Sequence, residues 1–152
     1  MRRLGVVRAV LDASAQGGGA VADLAALPAS DRAVDAGFLR RVLLGDLGGG
    51  APGGFMLRGA HVVGGLNLSE AELSQGIHFD GCTLAEPLRL SGANCGVVSL
   101  NRCELAGIDA AGLRSQSVIV TDCEIRRPVY LTNARVAGAV AFAGTNVHPK
   151  AR

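Results

Sequence analysis

Between Phe55 and Val147 the chain repeats itself with a period that varies by a single residue. Small residues recur ten or eleven positions apart at Ala60, Ala71, Cys82, Ala93, Cys103, Cys123, Ala134 and Thr145, with Leu113 as the one exception. Each is preceded by two apolar residues spaced two apart, from Leu66/Leu68 and Ile77/Phe79 through to Val140/Phe142. Most are followed two positions later by another apolar residue, as in Ala60/Val62, Cys82/Leu84 and Cys123/Ile125. A repeat of this kind constrains the fold more than any local propensity, because each unit can bury its apolar face only against its neighbours.

The second member of each pair and the apolar residue after each small one form a single inward series. It runs Leu57, Val62, Leu68, Leu73, Phe79, Leu84, Leu90, Cys95, Leu100 and Leu105, then Ala110, Ser115, Val120, Ile125, Leu131, Val136, Phe142 and Val147. One side chain therefore points inward about every five residues, with alternate residues between them pointing out as on a strand. No 3.6-residue stripe persists here, so helices are excluded from this stretch. A half-repeat of ten or eleven residues is too short to carry a helix but fits two sides of a coil. A full turn then takes about 21 residues, and Leu57, Phe79, Leu100, Val120 and Phe142 stack along one wall at about 4.8 Å per turn. On that register Cys82, Cys103 and Cys123 fall in one column, continued by Ala60 and Thr145, where they fill a small volume beside a corner.

Composition agrees with a narrow, regular interior. Apolar residues make up 49% of the chain but aromatics only 3%, and there are 22 glycines for tight corners. The four cysteines lack a C-x-x-C pair, and their stacked column does not converge on a point as zinc ligands must. They read as buried thiols, which favours a reducing compartment. A net charge of +2 does not suggest nucleic-acid binding through phosphate neutralisation. Arg8 and Asp12 interrupt the first apolar run, so it makes no signal peptide, and no stretch is long enough to span a bilayer. A cytoplasmic protein without a membrane partner is the expectation.

Residues 1–54 lack the repeat and are predicted to form a helical cap and linker, with the coil over 55–148 and a tail at 149–152. Short helices are expected over 4–11 and 21–27. The strongest is predicted to start after an N-cap at Ser30, with Asp31 in its first turn, and to run through Val34, Phe38, Leu39, Val42 and Leu43 to Gly45. Gly45 to Gly54 reads as a linker. Neither glycine cluster carries the Lys-Ser/Thr of a phosphate-binding loop. The cap would cover the first rung of the stack, whose end would otherwise expose apolar side chains and unpaired backbone.

The pattern of small residue, any residue, apolar residue at five-residue intervals resembles the pentapeptide-repeat proteins. The resemblance covers about 90 of the 152 residues. It implies an all-β solenoid, a right-handed quadrilateral β-helix of about four turns with an N-terminal α-helical cap. Asp or Asn at the middle position occurs only at Asn94 and Asn146, and some steps are six residues long, which marks a divergent branch. Leu27-Pro28, Asp31-Arg32 and Phe38-Leu39-Arg40 resemble the lead-in helix of actinobacterial members. Around Ala110, Leu113 and Ser115 large and small positions are exchanged, either as a volume-conserving swap within one turn or as a local bulge.

Function has to come from the outward columns. His61, Thr83, Glu104, Glu124 and Asn146 form one, bordered by Asp80, Arg102 and Asp122. Glu72, Asn94, Arg114 and Arg135 form a second that turns basic towards its end. Asn67, Arg89, Asp109 and Tyr130 form a third. Glu104 and Glu124 could suggest a hydrolytic carboxylate pair, but such a pair needs a cleft and two different environments. His61, His78 and His148 fall on different walls, and Ser115 and Ser117 have no base. No catalytic, cofactor or metal site is predicted. The reading is a non-enzymatic interaction or scaffold protein with an unknown protein partner, its candidate partner-binding edge being Asp80, Glu104, Asp122 and Glu124. Val140, Phe142 and Val147 on the last rung are the candidate interface of a homodimer. Members of the family often dimerise this way, and the resemblance also raises an alternative, a DNA mimic binding a type II topoisomerase (gyrase) and conferring resistance to its inhibitors. Mimicry needs a strongly negative surface, whereas residues 57–147 hold eight acidic residues against seven Arg.

Overall fold

The computed structural model describes residues 9–11, 13, 21–45, 56–73 and 76–147. The chain is a β-solenoid of about four turns built on parallel ladders. On one wall stand β1 (Val21–Asp23), β3 (Met56–Arg58), β6 (Ile77–Asp80), the second halves of β9 (Asn94–Asn101) and β12 (Arg114–Thr121), and β16 (Val140–Ala143). The next wall carries β2 (Ala33–Asp35), β4 (His61–Val63), β7 (Thr83–Leu84), β10 (Glu104–Leu105), β13 (Glu124–Ile125) and β17 (Asn146–Val147). The third is β8 (Leu88–Arg89), β11 (Ile108–Asp109) and β14 (Val129–Tyr130), preceded by a bridge from Asn67 to Arg89. The fourth is β5 (Glu72–Leu73), the first halves of β9 and β12, and β15 (Arg135–Val136).

The ladder registers reproduce the expected columns. Leu57 pairs with Phe79, Phe79 with Leu100, Leu100 with Val120 and Val120 with Phe142. On the second wall Val62, Leu84, Leu105, Ile125 and Val147 stack in the same way. Identical geometry at each rung piles aliphatic side chains directly over one another, and almost all of the inward series up to Ile125 is buried in one core. Burying a Leu or Ile contributes about 1.5–3 kcal/mol, so the core column, rather than any single rung, holds the coil together.

Two corners per turn require a left-handed residue. At the first corner φ is positive at Gly59, Gly81, Arg102, Asp122 and Gly144, and at the opposite corner at Glu70, Gly92, Gly112 and Asn133. This accounts for much of the glycine in the repeat, since an L side chain there costs about 1–2 kcal/mol. The six-residue step from Leu73 to Phe79 also finds its place. Leu73 pairs with Cys95 but Ile77 with Val98, so the first of these turns carries one residue more at the corner than the turn above it. Gly76 occupies that corner at φ 83°, and a Cβ there would collide with the carbonyl and amide of Val97. In the two central turns that residue is absent, and β9 and β12 run unbroken for eight residues.

The exchange around Leu113 is a volume swap. Asn94 to Asn101 pair with Arg114 to Thr121 at one constant offset, which leaves no room for an inserted residue. Leu113, Ala110 and Ser115 are all buried, the large side chain filling what its two small neighbours vacate.

The N-terminal segment departs from expectation. Val21–Asp23 is a strand, not a helix, and its Ala22 stacks on Leu57; Ala33–Asp35 is likewise a strand, with Val34 stacked on Val62. The solenoid therefore starts half a turn before Phe55, and the boundary at residue 54 does not separate a helical part from a coil. The helix α1 spans Ala36–Leu43, with Asp35 rather than Ser30 as N-cap, its Oδ2 accepting from Phe38 N at 3.0 Å. Pairing with His61–Val63 draws residues 33–35 into the sheet, so the helix can begin only after them. Buried Leu39, Val42 and Leu43 seat α1 on the core, and Arg40 Nε donates to the Asn67 carbonyl at 3.0 Å. The helix thus covers the start of the third wall. The expected helix over 4–11 and the linker after Gly45 lie mostly outside the described residues. Among the described residues no helix follows Phe55, and none is long and apolar enough to cross a membrane.

Candidate functional site

The column of small residues beside the first corner is more than filling. Cys82, Cys103 and Cys123 are free, buried thiols. Each Sγ lies within hydrogen-bond reach of a carbonyl on the rung before: Leu57 for Cys82 (3.2 Å), Phe79 for Cys103 (3.6 Å) and Leu100 for Cys123 (3.5 Å). Thr145 Oγ1 does the same to Val120 at 3.2 Å. The column is a polar seam that ties successive corners. A hydrogen bond donated to Cys103 and burial together push the Cys123 thiol up. Burial, then the charge of Glu72, pushes Cys95 up to about 11. Cys82 is held lower by its hydrogen bond with Cys103, yet it is only 1% exposed. These groups are placed as structure, and no described group of three His, Cys, Asp or Glu residues is arranged to hold a metal.

The acidic edge is divided by the fold. Alternation after Phe79 suggests that Asp80 points outward, but the corner turns it back, and it is 4% exposed. Its carboxylate accepts from Arg102 Nη2 at 2.8 Å, Arg102 Nε at 3.0 Å, Arg58 Nε at 3.1 Å and Asn101 Nδ2 at 3.1 Å. Burial alone would raise its pKa; the hydrogen bonds and charges of Arg102 and then Arg58 outweigh it and hold the carboxyl below its ordinary value. Asp80 is thereby a clamp across three rungs and offers no free carboxylate to a partner. Glu104, Asp122 and Glu124 are exposed, with Glu104 directly opposite Glu124. Arg102 turns to Asp80 rather than relieving that pair, and Glu124 Oε1 instead accepts from Asn146 Nδ2 at 2.7 Å.

At the C-terminal end the core runs out into solvent. Val120 is fully buried, whereas Val140 is 49% and Val147 38% exposed, with Phe142 and Val136 only partly covered. Strands β16 and β17 pair with β12 and β13 on one side and with no described strand on the other. Val140, Phe142 and Val147 lie on the same last rung, the first two on the first wall and Val147 on the second.

Among the described residues two concavities stand out on the walls, and sequence reading identified neither. On the fourth wall a groove of about 770 Å³ follows the column Glu72, Asn94, Arg114 and Arg135, with Ser115 and Gln116 among its lining. Small residues, Gly96, Ser115, Ala134 and Ala137, are among those that line it. On the third wall a cleft of about 200 Å³ lies over Gly107, between Pro87 and Pro128 and beside Tyr130. Compared with models of protein families, with characterised proteins and with solved structures, the chain shows no match.

Proposed function

We propose that this chain is a non-enzymatic interaction protein of the pentapeptide-repeat type, which docks a second copy of itself through its C-terminal rung. The observation that carries the reading is the last rung itself. The apolar columns that are buried at every earlier level end there in exposed Val140 and Val147 and partly covered Phe142, on strands with no described strand beyond them. Two such ends brought face to face continue the ladders and remove apolar surface from water, which is the usual fate of an open parallel edge. Buried, unpaired thiols fit a reducing, cytoplasmic setting.

Sedimentation equilibrium tests this directly. The wild-type chain is expected at twice its 15.4 kDa mass at about 10 µM, and Val140→Lys, at an exposed position, is expected as a folded monomer. A wild-type monomer at about 100 µM, or a Val140→Lys dimer of unchanged affinity, would overturn the reading.

Gyrase binding by DNA mimicry finds less support. Asp80 spends its charge inside the wall on two arginines, and the rest of the coil is near neutrality. A supercoiling assay separates the readings, since inhibition at low micromolar protein would favour mimicry.

A further inference from the structure

The groove on the fourth wall holds two positive charges that the fold does not use. Arg114 and Arg135 stand directly opposite each other on adjacent rungs. Like charges at this spacing, about 4.8 Å between strands, disfavour the pairing they sit on. Elsewhere on the coil the same problem is solved locally: Arg58 and Arg102 enclose Asp80. Their backbone amides are used in the ladder, donating to the Ala93 and Leu113 carbonyls, but among the described residues neither guanidinium has a hydrogen-bonded or ion-paired partner. The nearest acidic side chain in their column, Glu72, lies beyond Asn94 and accepts from Asn94 Nδ2 at 3.4 Å.

Small residues line the groove beside them, Gly96, Ser115, Ala134 and Ala137 among them. Ser115 occupies an inward position where the column otherwise carries Leu73, Cys95 and Val136, and its hydroxyl is satisfied by the Ser117 carbonyl at 2.9 Å. Gly138 approaches the next rung so closely that a Cβ would stand 2.8 Å from the Gln116 carbonyl. The result is a groove of about 770 Å³, within the range of about 300–1,000 Å³ typical of small-molecule sites.

We propose that this groove binds a phosphorylated small molecule, with its phosphoryl group held between Arg114 and Arg135. Two guanidinium forks one strand apart supply two positive charges and more donors than the two oxygens of a carboxylate can accept, whereas a dianionic phosphoryl group offers three oxygens and matching charge. The body of the ligand lies along the column, where Gln116 and Asn94 offer amides and Glu72, about 10 Å from Arg114, accepts from a hydroxyl.

The test is a two-dimensional amide NMR titration of the ¹⁵N-labelled chain with inorganic phosphate, ribose 5-phosphate and acetate at constant ionic strength. Saturable shifts are expected at residues 94–96, 114–116 and 134–137. Ribose 5-phosphate should bind more tightly than phosphate, and phosphate more tightly than acetate. Arg114→Gln/Arg135→Gln should weaken binding by about tenfold or more, while Arg126→Gln/Arg127→Gln, with the same change in net charge, should leave it unchanged. Both variants alter exposed side chains, and a dispersed spectrum shows that the coil is intact. Shifts that do not saturate, that appear equally around Arg89, Arg126 and Arg127, that acetate reproduces, or that survive in Arg114→Gln/Arg135→Gln would overturn the proposal. So would failure of ribose 5-phosphate to bind more tightly than phosphate.

Discussion

Replacing Asp80 by Asn removes one negative charge while keeping the shape of the side chain, and the structure sets the size of the effect. The carboxylate is 6% exposed and receives a two-toothed contact from Arg102 and a single one from Arg58, which lie 62% and 39% exposed. Hydrogen bonds to a charged group contribute about 1.5–3 kcal/mol each when buried. The two guanidiniums are released into water rather than stranded, so the lower end applies and the sum is not additive. A loss of about 2–3 kcal/mol at neutral pH follows, or about 5–10 °C in Tm for a chain of this size. The sign of the pH dependence follows from the pKa. The folded carboxyl lies below its ordinary value of 3.8, so its contribution is complete above that value and disappears as pH falls through the folded pKa. Urea unfolding followed by circular dichroism, at about pH 7 and again at about pH 2.5, measures both. Asp80→Asn and wild type should differ widely at the first pH and much less at the second. A gap below about 0.5 kcal/mol at neutral pH, or one that does not shrink in acid, would refute the clamp.

Three further outcomes test the corners and the interior. Gly76→Ala combines positive φ with a collision against the Val97 backbone and should cost about 3 kcal/mol in the same urea assay. Glu70→Gly should act in the opposite direction, since Glu70 is an exposed residue at φ 61°; relief of about 1–2 kcal/mol against about 0.5–1 kcal/mol of added chain entropy leaves a net gain of at most about 1.5 kcal/mol. The four thiols are buried, and burial pushes Cys95 up to about 11, so intact mass after iodoacetamide at about pH 8 should show no adduct on the native chain and four in urea.

The fourth wall shows how far sequence reading reached and where it stopped. Glu72, Asn94, Arg114 and Arg135 could be placed in one outward column because alternation and the 21-residue turn are local and repeat. Whether that column bordered a flat face or a groove depended on how far neighbouring corners project, which is set by backbone packing between rungs such as Gly138 on Gln116. The same limit applied at the N-terminus. Three-residue segments around Ala22 and Val34 are too short to show a period, and α1 separates them from the rest of the series.

The sequence by itself determined that the chain coils, which residues face inward, and which stand above which, because a repeated pattern of apolar side chains has one economical burial and each turn confirms the last. Only the tertiary structure decided that β1 and β2 join the ladders, that α1 starts at Ala36, and that Asp80 turns inward between two arginines. Each of these depends on partners more than 20 residues away or on the angle of a corner: a strand needs an edge to pair with, and a carboxylate is buried only where cations from neighbouring rungs arrive to meet it.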